Sequence, residues 1–213
     1  VEYIRTRSTG FHSWTIEEVE TYEARHPIGT KARLALALLM FTGGRRADAV
    51  ILGKQHARDG RLRYTANKGS NTRTPSHRDV PILPELQEVI DATPVCGALT
   101  FLVTEFKRPF TSNGFGNRMR KWCNEAGLPH CSAHGVRKAA AAIAANNGAT
   151  ASQLMAVFGW ETIKEAQRYT KSASRRDLAT AGMPLLVRPK ERTNVSHSEA
   201  VVDQSEKKTT RKS

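Results

Sequence analysis

Between Lys31 and Phe41 the chain reads KARLALALLMF, with apolar residues on every side of a helical projection. A helix that is apolar all round belongs in a core, and Thr30 before it and Gly43-Gly44 after it supply a cap and a stop. Upstream, Thr15-Ile16-Glu17-Glu18 has the capping-box pattern. It predicts a helix from Ile16 to about Arg25, broken by His26-Pro27-Ile28-Gly29. One short turn of helix is expected over residues 46–51. The period then changes. Lys54–Ala57, Arg61–Ala66 and His77–Ile82 are short alternating segments, separated by Asp59-Gly60 and a polar loop over 69–76. Turn residues between such segments predict a small antiparallel sheet.

Helical signals return in the second half. Pro84 at a first helical position opens a helix to about Ala92. Thr111 or Ser112 caps another that runs to Glu125 and stops at Gly127. An alanine-rich helix is expected from Gly135 to Asn147, closed by Gly148. A second capping box, Thr150-Ala151-Ser152-Gln153, starts a short helix to Phe158. GWETIKEAQRYT, residues 159–170, reads as a short polar helix with Tyr169 near its end, and 172–182 as one more. From about Val187 the chain turns polar and charged without a period, which predicts a disordered tail over 187–213. The expected fold is mainly α (α+β), one domain over residues 14–186 with a small antiparallel β-sheet, preceded by a linker at 1–13. No internal repeat is visible.

Charge narrows the function. The 213 residues carry 33 Lys/Arg against 20 Asp/Glu, a net +13. Between Thr30 and Pro81 stand eleven basic residues and three acidic ones, whereas the tail from Arg188 has seven against four. The excess therefore belongs to the folded part, and a basic folded face points to a polyanion, most commonly nucleic acid.

Cys96, Cys123 and Cys131 form no CxxC pair, so neither a disulfide framework nor a zinc ribbon is indicated, and a reducing intracellular compartment is the expectation. The longest apolar run, Leu34 to Phe41, is far shorter than the roughly 20 residues that span a bilayer. No signal-peptide pattern opens the sequence. The acidic residues are scattered, with five in the first 25 positions, and do not make the carboxylate cluster that a metal-dependent nuclease requires.

Several polar residues have a bland reading when taken singly. Arg45 follows a helix stop, where a surface arginine is ordinary. Lys68 sits in a hairpin loop, where lysine is routine. His134 and Arg137 are three apart and share a helix face, a common structural arrangement. Trp160 after a glycine is more often core than catalytic. Tyr169 has little apolar company, and reads either as a half-buried anchor or as a tyrosine whose hydroxyl is used.

Taken in order, Thr42-Gly43-Gly44-Arg45-x-x-Asp48, then Lys68, then His134-x-x-Arg137, then Gly159-Trp160 with Tyr169 nine residues later resembles the tyrosine recombinase (phage integrase) family over roughly Trp14 to Met183. Each part is weak alone and the joint match is specific. Gly44 departs from the larger apolar residue usual there, and Asp48 from the commoner glutamate.

The resemblance implies a helical catalytic domain with a small sheet over 14–186. It implies cleavage and rejoining of DNA through a 3′-phosphotyrosine, with no metal and no cofactor. Tyr169 is then the nucleophile and Arg45 and Arg137 the phosphate clamp. His134 is an acid/base or hydrogen-bond partner, Lys68 protonates the leaving 5′ oxygen, Trp160 donates one N–H, and Asp48 orients an arginine. Arg46, Arg73 and Lys138 are expected on the DNA. The implied partners are double-stranded DNA, three further copies in a homo-tetramer on paired sites, and accessory DNA-bending proteins. The implied setting is a bacterial cytoplasm, at the nucleoid.

Family members usually carry a separate core-binding domain before the catalytic one. The chain reads as a catalytic-domain fragment or an unusually short member, with weak, steeply salt-dependent DNA binding of its own. Two alternatives stand beside the recombinase: a type IB topoisomerase-like enzyme with the same cleavage chemistry, and a non-catalytic DNA-binding module. The short hairpin and the Gly-Trp to Tyr spacing favour the first reading over the topoisomerase. The filled reacting positions argue against a decayed site.

Overall fold

The computed structural model describes residues 10–66, 76–94, 97, 99–171 and 175–186. Helix α1 spans Ile16–Arg25 behind the expected capping box: Glu18 N–H donates to Thr15 Oγ1 at 3.2 Å, and Thr15 N–H to Glu18 Oε2 at 2.8 Å. Helix α2 is Lys31–Phe41, capped by Thr30 Oγ1 on the Arg33 N–H at 3.2 Å. Its Leu34, Leu36, Leu38 and Leu39 are all buried, which makes it the central rod of the molecule. Each such side chain contributes about 1.5–3 kcal/mol by leaving water. Helix α3 is only Arg46–Ala49, shorter than the 46–51 expected, because the Ile51 N–H closes back onto the Asp48 carbonyl in a tighter turn.

The first expected strand is displaced. The Gly53 N–H donates to its own neighbour's ring, His56 Nδ1, at 3.1 Å, and Lys54–His56 curl into a 3-10 turn. Strand β1 is therefore just Ala57–Arg58. Strands β2 (Arg61–Ala66) and β3 (Ser76–Pro81) complete an antiparallel sheet of order β1-β2-β3, with Leu62 opposite Val80, Tyr64 opposite Arg78 and Ala66 opposite Ser76.

Helix α4 is Pro84–Ala92 and α5 is Ser112–Glu125, the latter capped by Thr111, whose Oγ1 takes the Gly114 N–H at 3.0 Å. Helix α6, Ala133–Asn146, starts two residues before the expected Gly135. Ser132 Oγ accepts the Gly135 N–H at 3.3 Å and so moves the cap upstream. Helix α7, Ala151–Phe158, follows the second capping box, and α8 is Ile163–Thr170. Helix α9, Arg175–Gly182, leads into a 3-10 turn at Met183–Leu186. The expected linker is described only from Gly10, and the expected tail over 187–213 lies outside the described residues.

Two apolar clusters result. The larger joins α1 to α5 and the buried face of the sheet, with Val136 and Ala139 of α6 among its members. The smaller holds Ala140, Ala141 and Ala145 of α6, Leu154 and Phe158 of α7 and Ala166 of α8, with Trp160 and Tyr169 at its margin. Helix α6 thus belongs to both. The small alanines that line it let α2 on one side and α7 and α8 on the other approach closely, which positions Tyr169 relative to the arginines.

Candidate active site

Arg45 occupies the extended residue before α3. Asp48, fully buried, accepts the Arg45 backbone N–H on Oδ2 at 2.7 Å and so fixes where this arginine leaves the helix. That satisfies one of the unpaired N–H groups at a helix start with a charged acceptor. The neighbouring Gly44 has a local reason. A Cβ there would lie 3.3 Å from the Tyr64 hydroxyl and 3.2 Å from Asp48 Cβ, so Tyr64 of β2 occupies the space that a larger residue would need.

Arg137 projects from the second turn of α6 and is buried. Its Nη2 donates to the Phe158 carbonyl at 2.7 Å, and its guanidinium lies over the Phe158 and Trp160 rings at 5.2 and 6.0 Å. A second buried arginine comes from β3. Arg78 donates to the carbonyl of Val157 at 3.1 Å and also to that of Phe158. The last turn of α7, whose carbonyls have no partner within the helix, is therefore capped by two guanidiniums. Gly159 completes it with φ 53°, the left-handed region, and a Cβ there would collide with the Arg78 guanidinium. No other residue type fits this position without displacing Arg78.

Arg78 is absent from the sequence-derived set. A signal for it existed: in His77-Arg78-Asp79-Val80, Arg78 shares a strand face with the apolar Val80.

Electrostatically the site is overfilled with positive charge. Burial, then Arg45 and Arg78, bring the Arg137 pKa down to about 10, while Asp48 opposes them. Burial and Arg45 likewise lower Arg78. Three guanidiniums converge with one buried carboxylate among them. Arg137 Nη1 and Arg78 Nε are buried with no hydrogen-bond partner among the described residues. An unsatisfied buried donor costs about 1–3 kcal/mol, more when charged, so the cluster is arranged for an anion.

His134 stands one turn before Arg137, exposed, with one ring face against Phe11 at 4.9 Å between centroids. Desolvation, then Lys138, Arg137 and Arg45, lower its pKa below the usual 6.5, which keeps the imidazole neutral at pH 7. Tyr169, on the last turn of α8, is half-buried. Its ring stacks on Trp160, which stacks in turn on Phe158. Burial raises its phenol pKa, and Arg137 and Arg168 pull it back down. The tyrosine that looks isolated in sequence is thus the end of a three-ring stack.

Arg45, His134, Arg137, Lys138, Trp160 and Tyr169, with Glu165 and Arg168, line one cleft of about 180 Å³. Arg45 and His134 also border a second cleft of about 360 Å³, together with Arg46, Asn117 and Arg120. Six of the ten sequence-derived site residues therefore share one cleft, and Asp48 lies beneath it. Arg46 lines the adjoining cleft, held by Ser112 Oγ and Asn113 Oδ1 at 3.1 Å each. Lys138 donates from Nζ to the Phe11 carbonyl at 2.6 Å. Lys68 and Arg73 lie outside the described residues.

Gly135 has a packing reason: its side is filled by the His12 carbonyl and the Trp14 indole, which a Cβ would strike. No described helix is long and apolar enough to cross a membrane.

The family described as "Phage integrase family" matches residues 15–176. No curated protein matches the sequence. Among solved structures, the fold is similar to a XerA recombinase, at 14% identity and a TM-score of 0.63 over 83% of this chain and 66% of that one. It is similar to the Tn1549 transposon integrase in complex with circular intermediate DNA, at 16% and 0.65 over 85% and 69%. It is also similar to a lambda integrase tetramer bound to a Holliday junction, at 16% and 0.64 over 81% and 52%. The chain thus spans between about half and two thirds of the length of these proteins.

Proposed function

The chain belongs to the phage integrase family, and on that premise we propose that it is a tyrosine-type site-specific recombinase acting on double-stranded DNA. The observation that carries this reading is the anion-seeking cluster of Arg45, Arg78 and Arg137 beside Tyr169, with a buried Arg137 N–H left over.

In the reaction, a scissile phosphate sits against Arg45 and Arg137, whose planar donors match its nonbridging oxygens and the charge that develops on them. Tyr169 Oη attacks phosphorus. The P–O bond to the 5′ oxygen breaks, a 3′-phosphotyrosine forms, and the leaving oxygen takes a proton from Lys68. Neutral His134 is the acceptor for the phenol proton that Tyr169 gives up as its oxygen bonds to phosphorus. Asp48 holds Arg45 in place, and Trp160 sets the plane of Tyr169. The bond energy is kept in the phosphotyrosine, so attack by a new 5′ hydroxyl rejoins the strand without a metal or a high-energy cofactor.

Arg46 contacts the duplex from the adjoining cleft and Lys138 from the rim of the Tyr169 cleft, and Arg73 is a further DNA contact. Exchange takes place in a homo-tetramer on paired sites, with accessory DNA-bending proteins, at the bacterial nucleoid. The tetrameric lambda integrase among the similar structures supports the assembly.

The test is a nicked suicide duplex that traps the covalent intermediate. Wild-type protein is expected to form a protein–DNA adduct that withstands denaturation, and Tyr169→Phe none. Equal adduct from both proteins would overturn the assignment of Tyr169. Relaxation of plasmid lacking paired sites would instead identify a topoisomerase.

A further inference from the structure

On the side of α6 that faces the incoming chain, four metal-ligating side chains meet from three separate parts of the sequence. His12 lies before α1, Glu18 in the first turn of α1, and His130 and Cys131 in the turn between α5 and α6. Their donor atoms all lie within 4.8 Å of one another. Glu18 is the hub. It accepts from His12 Nε2 at 2.7 Å and from His130 Nε2 at 2.5 Å, and the two imidazoles meet edge to face with centroids 5.0 Å apart. The Thr15 N–H holds Glu18 Oε2 from behind. Cys131 is buried against the same carboxylate, whereas His12 and His130 are exposed and open the cluster to solvent.

We propose that His12, Glu18, His130 and Cys131 bind one Zn²⁺ ion. Two imidazole nitrogens, a carboxylate oxygen and a thiolate make a mixed, borderline-soft set that suits zinc and does not suit the hard ions Mg²⁺ and Ca²⁺, which take six or more oxygens. With Zn–N and Zn–O near 2.0–2.1 Å and Zn–S near 2.3 Å, tetrahedral ligands stand roughly 3.3–3.8 Å apart. The donor atoms, all within 4.8 Å of one another, draw together to that spacing on the ion. The metal replaces the imidazole–carboxylate hydrogen bonds, and the Cys131 thiol loses its proton to solvent as the Zn–S bond forms. The Thr15 N–H remains on Glu18 as the outer hydrogen bond that orients a ligating carboxylate.

The site is structural, and its place in the fold says what it fastens. His12 follows Phe11, which covers His134, and precedes Trp14, whose Nε1 donates to the Ser132 carbonyl at 3.0 Å. Cys131 precedes Ser132, the cap of α6. A zinc ion here ties the segment entering the domain to the start of the helix that carries His134 and Arg137. This inference is independent of the cleavage chemistry, since none of the four ligands lines the Tyr169 cleft.

The experiment uses the full chain, stripped of metal and then equilibrated with Zn²⁺ or Co²⁺. One zinc per chain is expected to survive gel filtration, and the cobalt form is expected to show a thiolate-to-metal charge-transfer band. Cys131→Ser should abolish the band and weaken zinc binding by about 100-fold or more. His12→Gln and His130→Gln, at exposed positions that leave the core intact, should also lose stoichiometric zinc. Cys96→Ser and Cys123→Ser should change nothing. Retention of much less than one zinc by the wild type would overturn the proposal. An undiminished charge-transfer band in folded Cys131→Ser, or full zinc retention in both histidine variants, would do so too.

Discussion

The rings of Trp160 and Tyr169 lie parallel, 5.3 Å between centroids and 5° between planes. The two residues sit at opposite ends of the Trp160-to-Tyr169 segment, and the stack closes it into a loop-and-helix unit against α6. In sequence the tyrosine has only Ala166 and Ile163 as apolar neighbours on its helix, and Ile163 is exposed. Trp160 covers one face of its ring. An aromatic pair contributes about 0.5–1.5 kcal/mol beyond burial, which sets the size of the effect to expect. Trp160→Ala should slow single-turnover cleavage by about tenfold with DNA affinity nearly unchanged. Trp160→Phe, which keeps a flat ring, should stay close to wild type. A matching loss of affinity in Trp160→Ala would assign the tryptophan to DNA binding instead.

Gly159 and Arg78 form a second coupled pair, and both are needed for the end of α7. Gly159→Ala places a methyl in the Arg78 guanidinium and a Cβ on a left-handed backbone. Arg78→Met strips donors from the carbonyls of Val157 and Phe158. Each change should lower the free energy of unfolding by about 3 kcal/mol or more, read from chemical denaturation midpoints. A loss below about 1 kcal/mol in both would mean that the turn closes without them.

The lowered pKa of His134 has a defined sign. Its neutral form is favoured over the ordinary imidazole, so it is neutral at pH 7 and takes up a proton only as pH falls below the usual 6.5. The cleavage rate should be flat from neutral to mildly alkaline pH and fall on the acid side of 6.5, and His134→Asn should lose that acid limb along with most of the rate. A limb centred above 6.5, or one that persists in the asparagine variant, would assign it to another group.

The phosphate contacts proposed for Lys138 and Arg46 are read by salt. Lys138→Ala and Arg46→Ala should each weaken binding to any duplex alike and reduce the slope of log K against log salt by about 1. Lys138 is the more informative of the two, because its ammonium has one donor on the Phe11 carbonyl and two further N–H groups to offer a phosphate. An unchanged slope in Lys138→Ala would mean that the lysine makes no phosphate contact when DNA is bound.

What the amino-acid sequence alone makes legible is whatever is written locally. Thr15 with Glu18 and Thr150 with Gln153 announce two helix starts within four residues, and both formed as expected. The apolar run of α2 announces the core. What could not be read depends on contacts across long stretches of chain. Arg78 becomes part of the site only because β3 pairs with β2 and turns its buried face to α7, 78 to 80 residues on. His12 meets His130 only because Trp14 packs under α6. The misplaced first strand has the opposite cause, a purely local competition. His56 captures the Gly53 N–H and curls three residues whose alternation alone suggested a strand.

The Phe158 carbonyl takes hydrogen bonds from both Arg78 and Arg137. One peptide oxygen is thus the junction of the sheet, helix α6 and the aromatic stack that leads to Tyr169. Under the proposed function, a push on the β2–β3 hairpin from DNA has a route into the site: through Arg78 to the anchor of Arg137, and through Phe158 and Trp160 to the tyrosine ring. On that reading, DNA contact at the hairpin and the readiness of the nucleophile are linked over three side chains and a single backbone atom.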